Sequence, residues 1–279
     1  MARAVPVIVS IDGALVAPEQ ATISVLDRGL LYGDGCFEIL RTWGGAPRDL
    51  EAHLDRLYET AGFLELRALE RPRLAEAVLQ AIAAAGAGEH ALRIVLTRGP
   101  GPLSARLGAL GPGRAIVIVE PLPPQPAELS LAVVDWPLPA RAERGHKTLA
   151  FLDAVIAREL ARGAGADEAI RLDASGDAVE GATCNIFAVH GGEVSTPPAE
   201  RGVLPGIVRA RVLAICAREG IAARERALSS QALRLAQEVF VTSSLRGVVP
   251  VTRIDREPIA RGAVAERIAA AYAAARCGP

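Results

Sequence analysis

Lys147 is the residue whose type most directly suggests chemistry in this 279-residue chain. Lysine and arginine together number 31, and Lys147 is the only lysine among them. An arginine keeps its proton at any working pH, whereas a lysine amine can lose its proton and attack a carbonyl carbon. In a chain that otherwise uses arginine at its basic positions, the single lysine is therefore a candidate nucleophile. A surface lysine without a role is the alternative, and residue type alone does not separate the two.

Three segments carry groups that suit a bound phosphate. Residues 206–208 stand at the start of a predicted helix, where unbonded backbone N–H groups and the helix dipole favour an anion. Residues 242–244 end a predicted strand and add hydroxyls and turn amides. Arg56 could donate a charged pair of hydrogen bonds. Taken one at a time, the three segments are better explained as an ordinary helix cap, a polar strand end and a surface arginine.

Other chemistries have weaker support. The triplet at residues 33–35 (GDG) lacks the third glycine of a dinucleotide-binding loop, because Glu38 stands there, and hairpin-turn chemistry explains it better. The chain has no GxSxG elbow of a serine hydrolase. The basic cluster at residues 141–147 has no interleaved aromatic residues, and the net charge of −1 gives no general attraction to nucleic acid.

The remaining composition argues against metal and membrane functions. The four histidines lack metal-ligand spacing, so no metal is expected. The four cysteines form no CxxC pair, which is typical of reduced thiols in a cytoplasmic protein. Every apolar run is too short to span a bilayer, and we expect neither a membrane nor a nucleic-acid partner.

The elements that must position these residues fall into two parts. The proline-rich segment 121–127 predicts a linker between a small N-terminal domain, residues 1–120, and a larger C-terminal domain, residues 128–279, that carries Lys147. Hairpin signals occur at Asp12-Gly13 and at residues 44–45, and apolar residues at positions 50, 54, 57 and 61 have helical spacing. Both halves mix strands with helices, which predicts an α+β fold with largely antiparallel sheets and packed helices.

The order of the motifs resembles the fold-type IV, or class IV, pyridoxal-phosphate enzymes. That family includes branched-chain aminotransferases, D-amino-acid aminotransferases and aminodeoxychorismate lyases. The matching stretches run in the family's order along nearly the whole chain: DRGLLYGDGCFE at 27–38, HLDRL at 53–57, LTRG at 96–99, HKTL at 146–149, EGATCNIF at 180–187, LPGIVR at 204–209 and EVFVTSS at 238–244. The resemblance implies a two-domain, D-amino-acid aminotransferase-like fold with its cofactor in the cleft between domains. It also implies a homodimer with each active site near the subunit interface.

The resemblance assigns the cofactor contacts to particular positions. Lys147 would form a Schiff base with pyridoxal 5′-phosphate and move the reacting proton, and Glu180 would keep the pyridine nitrogen protonated. The phosphate would be held by Arg56, the backbone amides of Ile207 and Val208, Ser243 and Ser244. Relatives often have Thr at the position of Val208, so only a backbone contact is expected there.

Substrate contacts fit no subgroup of the family fully; those implied are Phe37, Ile39, Arg98, Leu103, Arg106 and Leu245. D-Amino-acid aminotransferases carry Tyr where this chain has Phe37 and Arg where it has Leu103. These differences argue against that subgroup unless the nearby Arg106 takes the place of the missing arginine. Branched-chain enzymes carry Tyr where this chain has Leu152, and this difference favours the lyase. The lyases, however, often have Thr where this chain has Ile39, and this difference argues against the lyase. The expected activity is amino-group transfer between an α-amino acid and an α-keto acid. Pyruvate elimination from aminodeoxychorismate and a catalytically silent binding protein are the alternatives.

Overall fold

The computed structural model describes residues 7–102, 111–136 and 145–275, which belong to two compact units. Unit 1 comprises the described residues up to Pro124 together with His146–Ala150, and unit 2 comprises the other described residues. The boundary after Pro124 lies within the predicted linker. The lysine-bearing segment belongs to unit 1, which differs from the expectation that the C-terminal domain carries Lys147. The reason is backbone pairing between this segment and a strand of unit 1.

Unit 1 is built on a six-stranded sheet with helices on one face. Its strands are β1 (Ile8–Ile11), β2 (Ala14–Val16), β3 (Gly35–Trp43), β4 (Ala46–Pro47), β5 (His90–Thr97) and β6 (Arg114–Pro121), in the spatial order β2-β1-β6-β5-β3-β4. The described neighbours all pair antiparallel. Its helices are α1 (Arg28–Tyr32), α2 (Leu50–Phe63) and α3 (Arg71–Ala85). A 3-10 turn spans Pro18–Gln20.

Local sequence explains the turns and the core of unit 1. Asp12 and Gly13 have positive φ angles of 53° and 91°, as a two-residue hairpin turn requires. The hairpin predicted there is confirmed, as is the one at residues 44–45. Leu54 and Leu57 of α2 and Val78 of α3 pack against alternate residues of β3 and β5. One face of β3 is therefore covered by helices.

Unit 2 is built on a ten-stranded sheet. Its strands are β7 (Leu129–Val133), β8 (Glu168–Leu172), β9 (Asp177–Gly181), β10 (Asn185–His190), β11 (Glu193–Thr196), β12 (Ala223–Glu225), β13 (Leu228–Ser229), β14 (Glu238–Ser243), β15 (Gly247–Ile254) and β16 (Glu257–Pro258). The order is β12-β11-β10-β14-β15-β7-β8-β9-β13, with β16 beside β15. Its helices are α4 (Leu152–Gly163), α5 (Ile207–Arg218), α6 (Ser230–Arg234) and α7 (Ala263–Ala274), and a 3-10 turn spans Ala199–Arg201.

The sheet of unit 2 is buried on both faces. The rings of Phe187 and Phe240 stack with their centroids 4.8 Å apart. Both residues lie in a cluster with residues of α5 and α7. Ile186 and Val241 belong to a separate cluster, because successive side chains of a strand point to opposite faces. Three described pairings are parallel, namely β7–β8, β7–β15 and β11–β12, so the sheet is less uniformly antiparallel than predicted. α4 is the crossover that a parallel β7–β8 pair needs.

The GDG triplet is not a hairpin turn, and that interpretation is wrong. Gly33 ends α1 with a left-handed φ of 66°, and Gly35 begins β3. The triplet therefore joins a short helix to a strand, and that helix was not predicted from the sequence. Among the described helices, none is long and apolar enough to cross a membrane.

Candidate active site

The segment around Lys147 is bonded through its backbone to strand β3. The Phe37 N–H donates to the Lys147 carbonyl at 3.0 Å, and the Leu149 N–H donates to the Gly35 carbonyl at 2.9 Å. A Cβ at Gly35 would lie 2.3 Å from the Leu96 carbonyl oxygen and 2.7 Å from the Leu149 side chain. Only glycine allows both neighbours to approach this closely. The glycine therefore makes the docking of the lysine segment possible.

Two aromatic rings contact the side chains of this segment. The Lys147 Nζ lies 4.6 Å from the centroid of the Phe37 ring, within the range of a cation–π interaction. The preceding residue, His146, stacks on Phe63 at the end of α2 with ring centroids 4.1 Å apart. Backbone pairing and ring contacts together fix the lysine amine on the face of β3 that carries Phe37.

Arg93 shares this face and was not identified from the sequence. Its guanidinium carbon lies 4.8 Å from the centroid of the same Phe37 ring, and the side chain is exposed. Ile39, half-buried, pairs with Arg93 across β3 and β5. The face therefore combines an amine, apolar side chains and an exposed cation.

Arg56 lies on the other side of β3, in a buried cluster with Glu38 and His53. Its Nε and Nη2 donate to the two carboxylate oxygens of Glu38, both at 2.7 Å. The His53 Nδ1 lies 2.8 Å from Glu38 Oε2. The three residues are 8%, 0% and 2% exposed for Arg56, Glu38 and His53. Arg56 was identified from the sequence as a site residue, whereas Glu38 and His53 were not.

The charges of this cluster follow from its hydrogen bonds. Burial alone would raise the pKa of Glu38, but hydrogen bonds from Arg56 and His53 outweigh it and lower that pKa to about 2. Burial lowers the pKa of His53, against the opposing effect of the Glu38 carboxylate. The cluster is therefore one carboxylate and one guanidinium with a neutral imidazole that donates from Nδ1.

Arg98 makes contacts that are structural. Its Nε donates to Asp34 at 2.7 Å, and its Nη atoms donate to the carbonyl oxygens of residues 64 and 65 at 2.6 and 3.1 Å. The residue is 3% exposed. These contacts join the start of β3 to the end of α2 and give no support to a substrate contact. Leu103 and Arg106 lie outside the described residues.

Glu180 lies in β9 of unit 2, where both of its carboxylate oxygens have partners. Oε1 accepts from Arg171 Nη2 at 3.0 Å, and Oε2 accepts from the Leu204 N–H at 3.1 Å. Arg171 stands opposite Glu180 in the β8–β9 pair, and the glutamate side chain is 15% exposed. The arginine and the loop amide thus fix the position of a partly accessible carboxylate.

The start of α5 is held by Asn185 rather than by a capping side chain. The helix N-cap, Gly206, makes no side-chain cap hydrogen bond, and a Cβ there would lie 1.9 Å from Asn185 Oδ1. Asn185 Nδ2 donates to the Leu204 carbonyl at 3.0 Å. The side chains of Ile207 and Val208 are buried, so only their backbone amides could contact an anion.

Residues 242–245 form the end of β14 and the turn that follows. Thr242 is 1% exposed, and its hydroxyl has no hydrogen-bond partner within the described part of the chain. Ser243, Ser244 and Leu245 are half-buried. A buried hydroxyl without a protein partner is uncommon, which makes this turn a candidate for a bound polar group.

An ion pair behind the turn fixes its conformation. Arg246 Nη2 lies 3.0 Å from Glu168 Oε2 and 2.5 Å from the Thr183 hydroxyl. The backbone N–H of Arg246 donates to the Ser243 hydroxyl at 3.4 Å. Glu168 is fully buried. Arg246 therefore joins the hairpin turn to strand β8.

Comparison with known proteins gives consistent matches along the chain. The family model described as Amino-transferase class IV matches residues 35–254. A putative branched-chain-amino-acid aminotransferase of Methanocaldococcus jannaschii is 35% identical over 262 residues, which cover 92% of this chain and 91% of that protein. A D-alanine aminotransferase of Bacillus licheniformis is 30% identical over 257 residues, 90% of each chain.

A solved structure extends this similarity to three dimensions. It is the branched-chain aminotransferase of the thermophilic archaeon Thermoproteus uzoniensis, crystallised with norvaline. It aligns with 95% of this chain and 93% of its own, at 31% identity and a TM-score of 0.89.

Proposed function

This chain belongs to the class IV aminotransferases, and from that membership we propose that it uses pyridoxal 5′-phosphate bound covalently through Lys147. The observation that carries the proposal is the placement of the only lysine, whose amine lies 4.6 Å from the Phe37 ring on a segment bonded to β3. The cofactor supplies an electron sink that makes the substrate Cα–H acidic. The Lys147 amine would hold the cofactor aldehyde and then carry the proton from the substrate Cα.

The residues present fit such a cofactor. Glu180 offers a fixed carboxylate to the ring nitrogen, because Arg171 and the Leu204 amide hold it in place. A carboxylate beside that nitrogen favours its protonated form. The Thr242 hydroxyl, which has no hydrogen-bond partner among the described residues, and the uncapped start of α5 are groups that a phosphate would satisfy.

The phosphate contacts follow from these two features. The amides of Ile207 and Val208 would donate to the phosphate at the start of α5, and Ser243 and Ser244 would donate from the neighbouring turn. Arg56 would add the charged contact, since a guanidinium recognises phosphate through paired hydrogen bonds.

The substrate side of the proposal rests on the face of β3 that carries the lysine. Phe37 and Ile39 offer an apolar surface that suits an amino acid with an apolar side chain. Arg93 adds an exposed cation that would attract the second carboxylate of an acidic amino acid. We therefore propose amino-group exchange between an acidic α-amino acid and an apolar α-keto acid. A homodimer and a cytoplasmic location stay predictions.

A spectroscopic half-reaction tests this function. An amino-acid donor alone should convert the bound aldehyde cofactor stoichiometrically to its amine form, and a keto acid should restore it. Glutamate, a branched-chain amino acid and D-alanine would be compared as donors. Lys147→Arg is the matched control, because it keeps the charge but lacks an amine that can be deprotonated. A protein that binds the cofactor without conversion by any donor would contradict the proposal.

A further inference from the structure

Glu38 makes a fully enclosed charge contact in unit 1. The carboxylate is fully buried and accepts from Arg56 Nε and Nη2 and from the His53 imidazole. It lies in a strand whose next residue on the same face, Leu40, belongs to the apolar core. A charge in such a place is costly unless it is paired and hydrogen-bonded, as it is here.

Stability is a weak explanation for this arrangement. Removing two charges from water costs about as much as their attraction returns, so well-packed apolar residues are often at least as stable as a buried ion pair. The pair is better explained by what it does to Arg56. The two hydrogen bonds to Glu38 use one edge of the planar guanidinium, and together they fix both the plane and the direction of that group.

His53 completes the arrangement from the same helix. Its ring lies one turn before Arg56 in α2 and bonds to the oxygen that also accepts from Arg56 Nη2. The imidazole therefore holds the carboxylate from a second direction. A carboxylate fixed from two directions gives the guanidinium a single orientation.

We propose that Glu38, held by His53, is a positioning residue that orients Arg56 toward the phosphate of the cofactor. This inference rests on the proposed function, because it assigns the phosphate contact to Arg56. Glu38 does not touch the cofactor itself. Its contribution is specific for the phosphate and should be absent for a ligand without one.

Pyridoxal provides the discriminating probe, because it has the same aldehyde as pyridoxal 5′-phosphate but no phosphate. Dissociation constants for both would be measured by absorbance titration of the full-length apoprotein. The wild-type protein should prefer the phosphorylated form strongly. Arg56→Ala and Glu38→Gln should each reduce that preference by about tenfold or more, the contribution of a charged hydrogen bond. In the Arg56→Ala background, Glu38→Gln should have no further effect on it.

Two further variants separate orientation from folding. Glu38→Asp keeps the charge, but its shorter side chain cannot reach both guanidinium nitrogens, so it should also reduce the preference for the phosphorylated cofactor. If Glu38→Gln does not fold, Glu38→Asp tests the positioning role in its place. Glu89→Gln is the matched control in unit 1: Glu89 accepts from Thr42 and Gly44, both at 2.6 Å, and has no role at Arg56. It should leave the preference unchanged.

The outcomes distinguish the inference from the function on which it rests. A wild-type protein that does not prefer pyridoxal 5′-phosphate over pyridoxal would contradict the proposed function. Suppose that Arg56→Ala reduces the preference for pyridoxal 5′-phosphate over pyridoxal, but that both Glu38 variants leave it intact. That result would overturn the positioning role of Glu38 alone. If Arg56→Ala also has no effect, the phosphate assignment and the positioning role are both wrong, and cofactor binding itself stands.

Discussion

Gly206→Ala tests how the start of α5 is built. The φ of −68° and ψ of 132° at this position suit any residue, so backbone strain plays no part. The added Cβ would instead lie 1.9 Å from Asn185 Oδ1, which forces the buried carboxamide to move. Moving it breaks the 3.0 Å hydrogen bond to the Leu204 carbonyl. The substitution thus acts mainly through Asn185, because the other neighbour, the Arg209 Cβ, would lie 3.2 Å away.

The expected cost follows from that contact. Losing a buried hydrogen bond and leaving its partners unsatisfied costs about 1–3 kcal/mol. Replacing glycine by alanine returns about 0.4–1 kcal/mol by restricting the unfolded chain. Gly206→Ala should therefore lower the free energy of unfolding by about 1–2 kcal/mol in urea titrations. It should also weaken binding of pyridoxal 5′-phosphate, because the amides of Ile207 and Val208 move with the helix start.

Two comparisons make this reasoning refutable. Gly62→Ala, within α2, meets no atom within 4 Å and should stabilise the protein by about 0.5–1 kcal/mol without changing cofactor affinity. In an Asn185→Ala background, the cost of Gly206→Ala should disappear, because the obstructing oxygen is gone. An equal cost in both backgrounds would show that Asn185 is not the obstacle.

Four other outcomes are expected from the residues of the candidate site. The pKa of Glu38 is lowered from its usual 4.5 to about 2, so the stability it contributes is present above pH 4.5 and is lost as the pH falls toward 2. Urea titrations measure the difference in unfolding free energy between wild type and Glu38→Gln. This difference should shrink by about 2 kcal/mol from pH 7 to pH 3, and a constant difference would contradict the assignment. Borohydride reduction of the loaded protein should label Lys147 alone among side chains, by peptide mass spectrometry, and Lys147→Ala should lose activity by orders of magnitude; near-native turnover would refute its role. Glu180→Gln should slow Cα deuterium exchange of the donor more than it weakens cofactor affinity, whereas an unchanged exchange rate would assign the carboxylate a structural role. Aminodeoxychorismate should be turned over slowly or not at all, and Ile39→Thr should raise pyruvate formation relative to transamination; fast pyruvate release by the unaltered protein would favour the lyase.

Local signals in the sequence predicted much of the fold. Asp12-Gly13 predicts its hairpin because a two-residue turn needs positive φ angles. The helix between Pro205 and Gly220 is bounded by residues that begin and end helices, and it spans Ile207–Arg218. By contrast, β9 was not predicted, although it carries Glu180. The strand DAVEG is short, contains an Asp and a Gly, and gains its stability from neighbours.

Family motifs predicted candidate site residues, and those predictions remain to be tested; contacts between residues distant in the chain were not predicted. Motif order gave Lys147, but not its pairing with β3, because Phe37 lies more than a hundred positions earlier in the chain. Glu38 and Arg93 could have been found from sequence. Each is a charged residue within an apolar stretch of strand, and such a residue needs a partner or a ligand. Which partner it has depends on tertiary packing and not on local pattern.

The pairing of Lys147 and Leu149 with β3 also affects how the chain folds during its synthesis. Residues 35–37 of β3 bond to β5 on one edge and to the lysine segment on the other. During translation from the N-terminus, the sheet of unit 1 is complete before residues 146–150 have left the ribosome, so this edge emerges unpaired. Open strand edges recruit other chains. A nascent chain or a truncated product ending near residue 124 should therefore aggregate through β3, and the arrival of the lysine segment both closes that edge and installs the reactive amine.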